Sequence, residues 1–133
     1  MIKWKDDYKI GVEQIDKQHQ KLFEIANEAY NLLKNDFCYD KFDQIIQILA
    51  ELRDYAIYHF QSEENYMLSI GYKGYPLQKA AHDSFVEKLN AVNLDSIDEN
   101  QNQYILELLD FIINWISDHI LGADKLITQS SNR

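Results

Sequence analysis

The run Tyr58-His-Phe-Gln-Ser-Glu-Glu-Asn-Tyr-Met67 decides how this chain folds. His59 and Glu63 are four residues apart, which on an α-helix stands them one turn apart on a single face. Ile45, Ile48, Leu49, Leu52 and Ala56 lead into that face at helical spacing, and Met67 continues it. An imidazole and a carboxylate are costly to bury on an apolar face unless each gains a partner. A metal ion would satisfy both.

Working outward, the helical pattern extends back to Asp40, a suitable N-cap, and forward to about Leu68. An earlier helix is predicted from about Ile15 to Asn35, with Ile15, Leu22, Phe23, Ala26, Ala29, Tyr30 and Leu33 on its apolar stripe. Asn35 and Asp36 stop it, and Phe37, Cys38 and Tyr39 form a short connection. Ile70 to Pro76 reads as a second connection, with Gly71 and Gly74 to turn and Pro76 to open the next helix. The third helix is predicted over about Leu77 to Val92, with Leu77, Ala81, Phe85, Val86 and Leu89 inside. A polar loop follows, with Ser96 or Asp98 as caps. The fourth helix covers about Glu99 to Leu121, with Tyr104, Ile105, Leu108, Phe111, Ile112, Trp115 and Ile116 inside. Gly122 is expected to interrupt it before a last short turn over Ala123 to Gln129 and a frayed tail from Ser130 to Arg133. Residues 1–14 carry no sustained period and read as an extended arm whose Trp4, Tyr8, Ile10 and Val12 pack along the helices. Strand patterns are absent. The fold class is all-α, an antiparallel up-down-up-down four-helix bundle with an extended N-terminal arm.

The totals agree with this reading. A chain of 133 residues fits one domain spanning 1–133 with a core of its own. A single proline and four glycines leave room for long helices. One cysteine, Cys38, excludes an internal disulfide and a multi-cysteine zinc site, and it reads as an ordinary thiol near a loop. The net charge of −9 repels nucleic acid and anionic membrane surfaces and suits a protein that binds cations. The N-terminal Met-Ile-Lys-Trp-Lys-Asp-Asp holds no signal-length apolar run and no stretch approaches a membrane span, so the expected location is cytoplasmic.

The four histidines, His19, His59, His82 and His119, fall one to each predicted helix. In an up-down bundle the start of the first helix, the end of the second, the start of the third and the end of the fourth share one end, so all four converge at one level. Any one of them could be a core histidine satisfied by a hydrogen bond. Four at one depth, with none left over, argue for a shared role. Glu63 joins them, and Asp124, five residues past His119 and just beyond Gly122, can swing back over the bundle end. Imidazole and carboxylate donors without thiolate suit iron, manganese, zinc or copper, and two carboxylates able to bridge favour a dinuclear site.

These residues resemble a known family. Ile15-Asp-Lys-Gln-His19-Gln-Lys-Leu22, His59-Phe-Gln-Ser-Glu63-Glu-Asn-Tyr-Met67, His82-Asp-Ser-Phe85 and His119-Ile-Leu-Gly-Ala-Asp124 are similar to the successive ligand motifs of hemerythrins. The similarity is greatest to single-domain bacterial hemerythrins, includes the arm Trp4…Tyr8…Gly11 and covers essentially the whole chain. It implies two non-haem iron ions (Fe2+/Fe3+), carboxylate- and oxo/hydroxo-bridged, that bind O2 reversibly. By the same resemblance His19 and His59 hold the iron with an open position, His82 and His119 serve the other, and Glu63 and Asp124 bridge them.

One position departs from the family pattern. The third motif has a second histidine one turn before His82, and here that residue is Gln78. Three outcomes are open: its amide oxygen ligates, a water takes the place, or that iron is loosely held. Leu22, Trp115, Ile116 and Ile120 neighbour the ligands and are candidates to line an O2 pocket. Beside O2 carriage, storage or delivery stand two other readings. One is a di-iron peroxidase or oxidase handling peroxide, NO or another small oxidant with a redox partner, and the other is a sensor or iron-handling module. Nothing in the sequence suggests hydrolysis or a nucleophile.

Overall fold

A computed structural model of the chain describes residues 4–34, 41–92 and 102–131. Four long helices carry the fold: α1 (Glu13–Leu33), α2 (Lys41–Ser69), α3 (Tyr75–Asn90) and α4 (Asn102–His119). A π-helical turn, Ile120–Asp124, joins α4 to a short α5 (Lys125–Ser131). α1 packs on α2 and α4, and α2 packs on α3, in the expected antiparallel bundle. There is no strand among the described residues. The predicted stop at Asn35 and Asp36, the connection through Cys38, the Asp40 cap, the Ser96 or Asp98 cap and the start at Glu99 lie outside the described residues.

The end of α2 matters because His59 and Glu63 stand on its last turns. Gly71 follows the helix with φ +65°, a conformation open to glycine at little cost. Its N–H donates to Leu68 O, and Tyr72 N–H donates to Met67 O, a paired closure of the last carbonyls. α3 then opens two residues earlier than periodicity suggests, with Pro76 in its first turn, where a missing N–H costs nothing.

The arm is not a free strap. A 3-10 turn over Asp6–Tyr8 folds it, and Trp4, Tyr8 and Phe23 form an aromatic cluster with ring centroids 5.1–5.8 Å apart. Asp16 in the first turns of α1 accepts from Ile10 N–H at 2.8 Å and from Gly11 N–H at 3.3 Å. Thr128 on α5 donates to Ile10 O at 2.6 Å, and Ser117 on α4 donates to Tyr8 OH at 3.2 Å. Tyr30 on α1 also donates to Asp110 on α4.

Three predicted core residues face outward. Leu77 is 81% exposed, because the inward face of α3 is Gln78, His82, Phe85 and Leu89, and Leu77 stands a quarter turn away from it. Tyr104 and Phe111 are 42% and 37% exposed, since α4 turns Ile105, Leu109, Ile112, Ile113 and Ile116 to the core instead. Gly122 does not break the fourth helix; one wider turn carries the chain through into α5. Helix also continues through Ser130 and Ser131, beyond the last turn expected to end at Gln129.

Ile45 is fully buried near the start of α2, at the far end of the bundle from the histidines. Ile45→Ala should lower stability to denaturant by about 2–5 kcal/mol, the usual range for an isoleucine truncated in a core. Metal uptake per folded chain should stay at the wild-type level, so a loss of metal with this variant would show that the two ends of the bundle are not independent.

Candidate metal centre

The four histidines meet at one end of the bundle, together with Glu63 and Asp124. Two clusters of donor atoms form there, each with its atoms within 4.8 Å of one another: His19, His59, Glu63 and Asp124, and Glu63, His82, His119 and Asp124. The carboxylates belong to both. Glu63 Oε2 lies 3.0 Å from His19 Nε2 and 2.6 Å from His59 Nε2, while its Oε1 lies 3.5 Å from His82 Nε2. Asp124 Oδ2 lies 3.3 Å from His19 Nε2, and its Oδ1 lies 3.2 Å from His119 Nε2. Each acid therefore gives one oxygen to each pair of histidines.

Local structure sets these positions. His59 and Glu63 are one α-helical turn apart, as their spacing requires. His119 and Asp124 are five apart, a spacing that an α-helix rotates off the common face. The π-turn that follows His119 takes up the extra residue and returns Asp124 to the site. Helix continuity with one widened turn, rather than a break at Gly122, is what aims this carboxylate.

The outer ring nitrogens are held by residues that spacing alone does not single out. His59 Nδ1 lies 2.7 Å from Gln18 Oε1, and His82 Nδ1 lies 2.8 Å from Glu64 Oε2. Both partners can only accept through these oxygens, so both Nδ1 atoms carry a proton, and in the neutral ring each Nε2 is left to present its lone pair inward. Gln18 is itself steadied by Ser62 at 3.3 Å, and Lys79 lies 3.5 Å from Glu64 Oε1. The available signal was adjacency: Gln18 precedes His19 and Glu64 follows Glu63, and both are polar residues that the bundle buries. Phe60 stacks on His82 at 4.1 Å, and Trp115 stacks on His119 at 4.6 Å. Trp115 thus lies against the second cluster, while Leu22, Ile116 and Ile120 are buried near the bundle end.

Protonation of the chain's own groups follows from this crowding. Burial disfavours a charged His19, but its contacts with Asp124 and Glu63 outweigh that and raise its pKa to about 9. His82 is also raised, burial again being outweighed by Glu63 and Glu64. His59 is lowered, because full burial costs it more than Glu63 returns. Burial would push Glu63 up, but His59, His19 and His82 hold it well below the usual carboxylate range.

The donor set fits a pair of cations. Glu63 Oε1, Asp124 Oδ2 and Gln78 Oε1 are buried acceptors left short of hydrogen-bond donors, with only the 3.3 and 3.5 Å approaches of His19 and His82 to the two carboxylate oxygens. His82 Nε2 and His119 Nε2 lie 3.1 Å apart, and two lone pairs at that distance repel unless a proton or a cation stands between them. Buried oxygens and nitrogens turned inward with too few protons to share are the complement of metal ions.

Histidines and shared carboxylates at one end of a four-helix bundle define a class of two-cation bundle sites. Residues 10–129 match the family described as the Hemerythrin HHE cation binding domain. The chain is 50% identical over 125 residues to a bacteriohemerythrin of Clostridium acetobutylicum, covering 94% of this chain and 97% of that one. A bacteriohemerythrin of Stenotrophomonas maltophilia is 26% identical over 94% of this chain and 78% of its own. A crystal structure of wild-type hemerythrin superposes with a TM-score of 0.80 at 23% identity, covering 100% of this chain and 99% of that one, a likeness of fold. The chain belongs to the hemerythrin family. Among its described residues no helix is long and apolar enough to cross a membrane.

Two measurements test the centre. In chelator-stripped protein His19 and His82 titrate above the 6.5 of an ordinary histidine. Raised values contribute stability that is fully present below pH 6.5 and lost as pH rises through the folded value, about 9 for His19. Denaturation midpoints of stripped protein should fall across that window, and metal-loaded protein, whose imidazoles are already neutral, should not show the decline. Glu64→Gln should weaken metal retention against a chelator by about 10- to 100-fold, the usual effect of losing an acceptor behind a ligating histidine, with helicity unchanged.

Proposed function

We propose that this protein holds two iron ions between its two histidine pairs and binds O2 reversibly for carriage, storage or delivery. The observation that carries the proposal is the division of each carboxylate, one oxygen toward His19 and one toward His82 or His119. His19 and His59 would hold one iron and His82 and His119 the other, with Glu63 and Asp124 bridging. When bound, such a pair supplies reversible electron exchange with a small oxidant.

The chain's own residues supply selectivity and protection. His19, His59, Glu63, His82 and Asp124 are buried, and His119 is half-buried. A bulky substrate cannot reach these atoms without opening the core, which favours a diatomic ligand. Leu22, Ile116 and Ile120 exclude water, and Gln18 and Glu64 hold two imidazoles in the tautomer that points Nε2 inward. The mid-bundle core holds the helices fixed, so a ligand need not pay to order them.

Gln78 favours a second reading, a di-iron protein that processes a small oxidant such as peroxide or NO. An amide in place of an imidazole leaves one iron with a weaker donor set. Reconstitution with ferrous iron without air, a count of metal per chain and admission of O2 separate the two. Carriage predicts two iron ions per chain and a visible charge-transfer band that disappears on removal of O2 and returns with it. Irreversible bleaching with turnover of peroxide would favour the second reading, and a stoichiometry of one iron or none would rule out both.

A further inference from the structure

The amide of Gln78 has a fixed direction. Its Nε2 donates to Asp124 Oδ1 at 3.2 Å, deep between α3 and the π-turn. A carboxylate only accepts, so reversing the amide would set two oxygens against each other, and the observed orientation is the one the charges demand. The oxygen and nitrogen of a planar carboxamide diverge from one carbon. With the nitrogen committed to Asp124, the oxygen leaves along the other arm. It is buried there without any donor, one helical turn before His82 on the inward face of α3.

The environment of the second cluster makes this consequential. His82 Nε2, His119 Nε2, Glu63 Oε1 and Asp124 Oδ1 are the donors gathered there, and no third imidazole is among them. Gln78 is buried with these donors and reaches the same carboxylate, so it stands beside that place without bringing a strong nitrogen donor. A neutral amide oxygen is a weaker ligand than imidazole for iron. It is, however, a good acceptor for an O–H. A buried acceptor left empty is destabilising, so the arrangement favours an occupant that carries a hydrogen.

Resting on the two-metal reading above, we infer that the metal position served by His82 and His119 keeps one exchangeable coordination place beside Gln78 Oε1. Its resting occupant is water, held by the Gln78 oxygen, and a small anion can displace it. Both metal positions then accept an outside ligand, where the family pattern with a histidine here would leave one.

Azide binding to protein loaded with two iron ions tests this, with the metal counted first. Wild type should take up two azides per chain, seen in the infrared as two distinct azide bands, and Gln78→His should take up one. Gln78→Ala, which leaves the place open without adding a donor, should still take up two, more weakly at the second site. One azide in wild type and two in Gln78→Ala would mean that the amide itself ligates, and would overturn the inference. One azide in all three proteins would overturn it as well. In both cases two metals per chain would leave the dinuclear reading intact, whereas fewer than two metals in wild type would sink that reading and this inference together. Because the comparison of wild type with Gln78→Ala does not depend on Gln78→His loading correctly, the inference stays testable if the histidine variant fails to fold.

Discussion

Two acids share the same buried space at the end of this bundle, and everything else there answers to that. Glu63 and Asp124 are almost entirely withdrawn from water, and each turns one oxygen to either pair of histidines. Isolated buried carboxylates would be strongly destabilising, and imidazoles compensate only as far as they carry protons. Cations held by the same donors would complete the compensation. Metal uptake would thereby be coupled to folding: the core assembles the donors, and a bound metal would supply much of their balance.

The two halves of the centre are not equivalent. His59 leans on a neutral amide, Gln18, while His82 leans on a carboxylate, Glu64, which lies within reach of Lys79 at the surface. A carboxylate behind an imidazole makes it a stronger electron donor than an amide does. The cluster that lacks a third imidazole therefore has the better-supported one. A groove between α2 and α3, lined by Phe60, Glu64, Lys79 and His82, opens toward the outer edge of this half, whereas the carboxylate oxygens lie inside. Strong outer support behind His82 and the lack of a third imidazole in the same cluster go together chemically, because the first would help retain a metal that the second leaves with fewer strong donors.

Much of the fold was legible because its signals are local. Apolar residues recurring at three and four along α1 and α2 name their buried faces, and Ile15, Leu22, Ile45, Leu52 and Met67 are indeed buried. The failures share a cause. Leu77, Tyr104 and Phe111 are apolar residues at stripe edges, where hydrophobicity cannot tell an inward position from one a quarter turn away. In α3 the inward turn beside Leu77 belongs to Gln78, a polar residue that hydrophobic periodicity discounts. Gly122 reads as a breaker in isolation, yet in place one wider turn carries the helix through it, with Ile120 and Ile127 buried on either side.

By itself the sequence determined the helices, the family and the convergence of four histidines, one per helix, at one end of the bundle. The i, i+4 relation of His59 and Glu63 needs nothing but a helix. Only the tertiary structure decided which oxygen of Glu63 or Asp124 faces which histidine, which nitrogen of His59 and His82 looks inward, and that the Gln78 amide turns its nitrogen to Asp124. These relations join residues as far apart along the chain as His19 and Asp124. Spacing along one helix fixes a rotation about that helix alone. The distance and facing of groups on different helices come from how their side chains pack, and packing has no period to read.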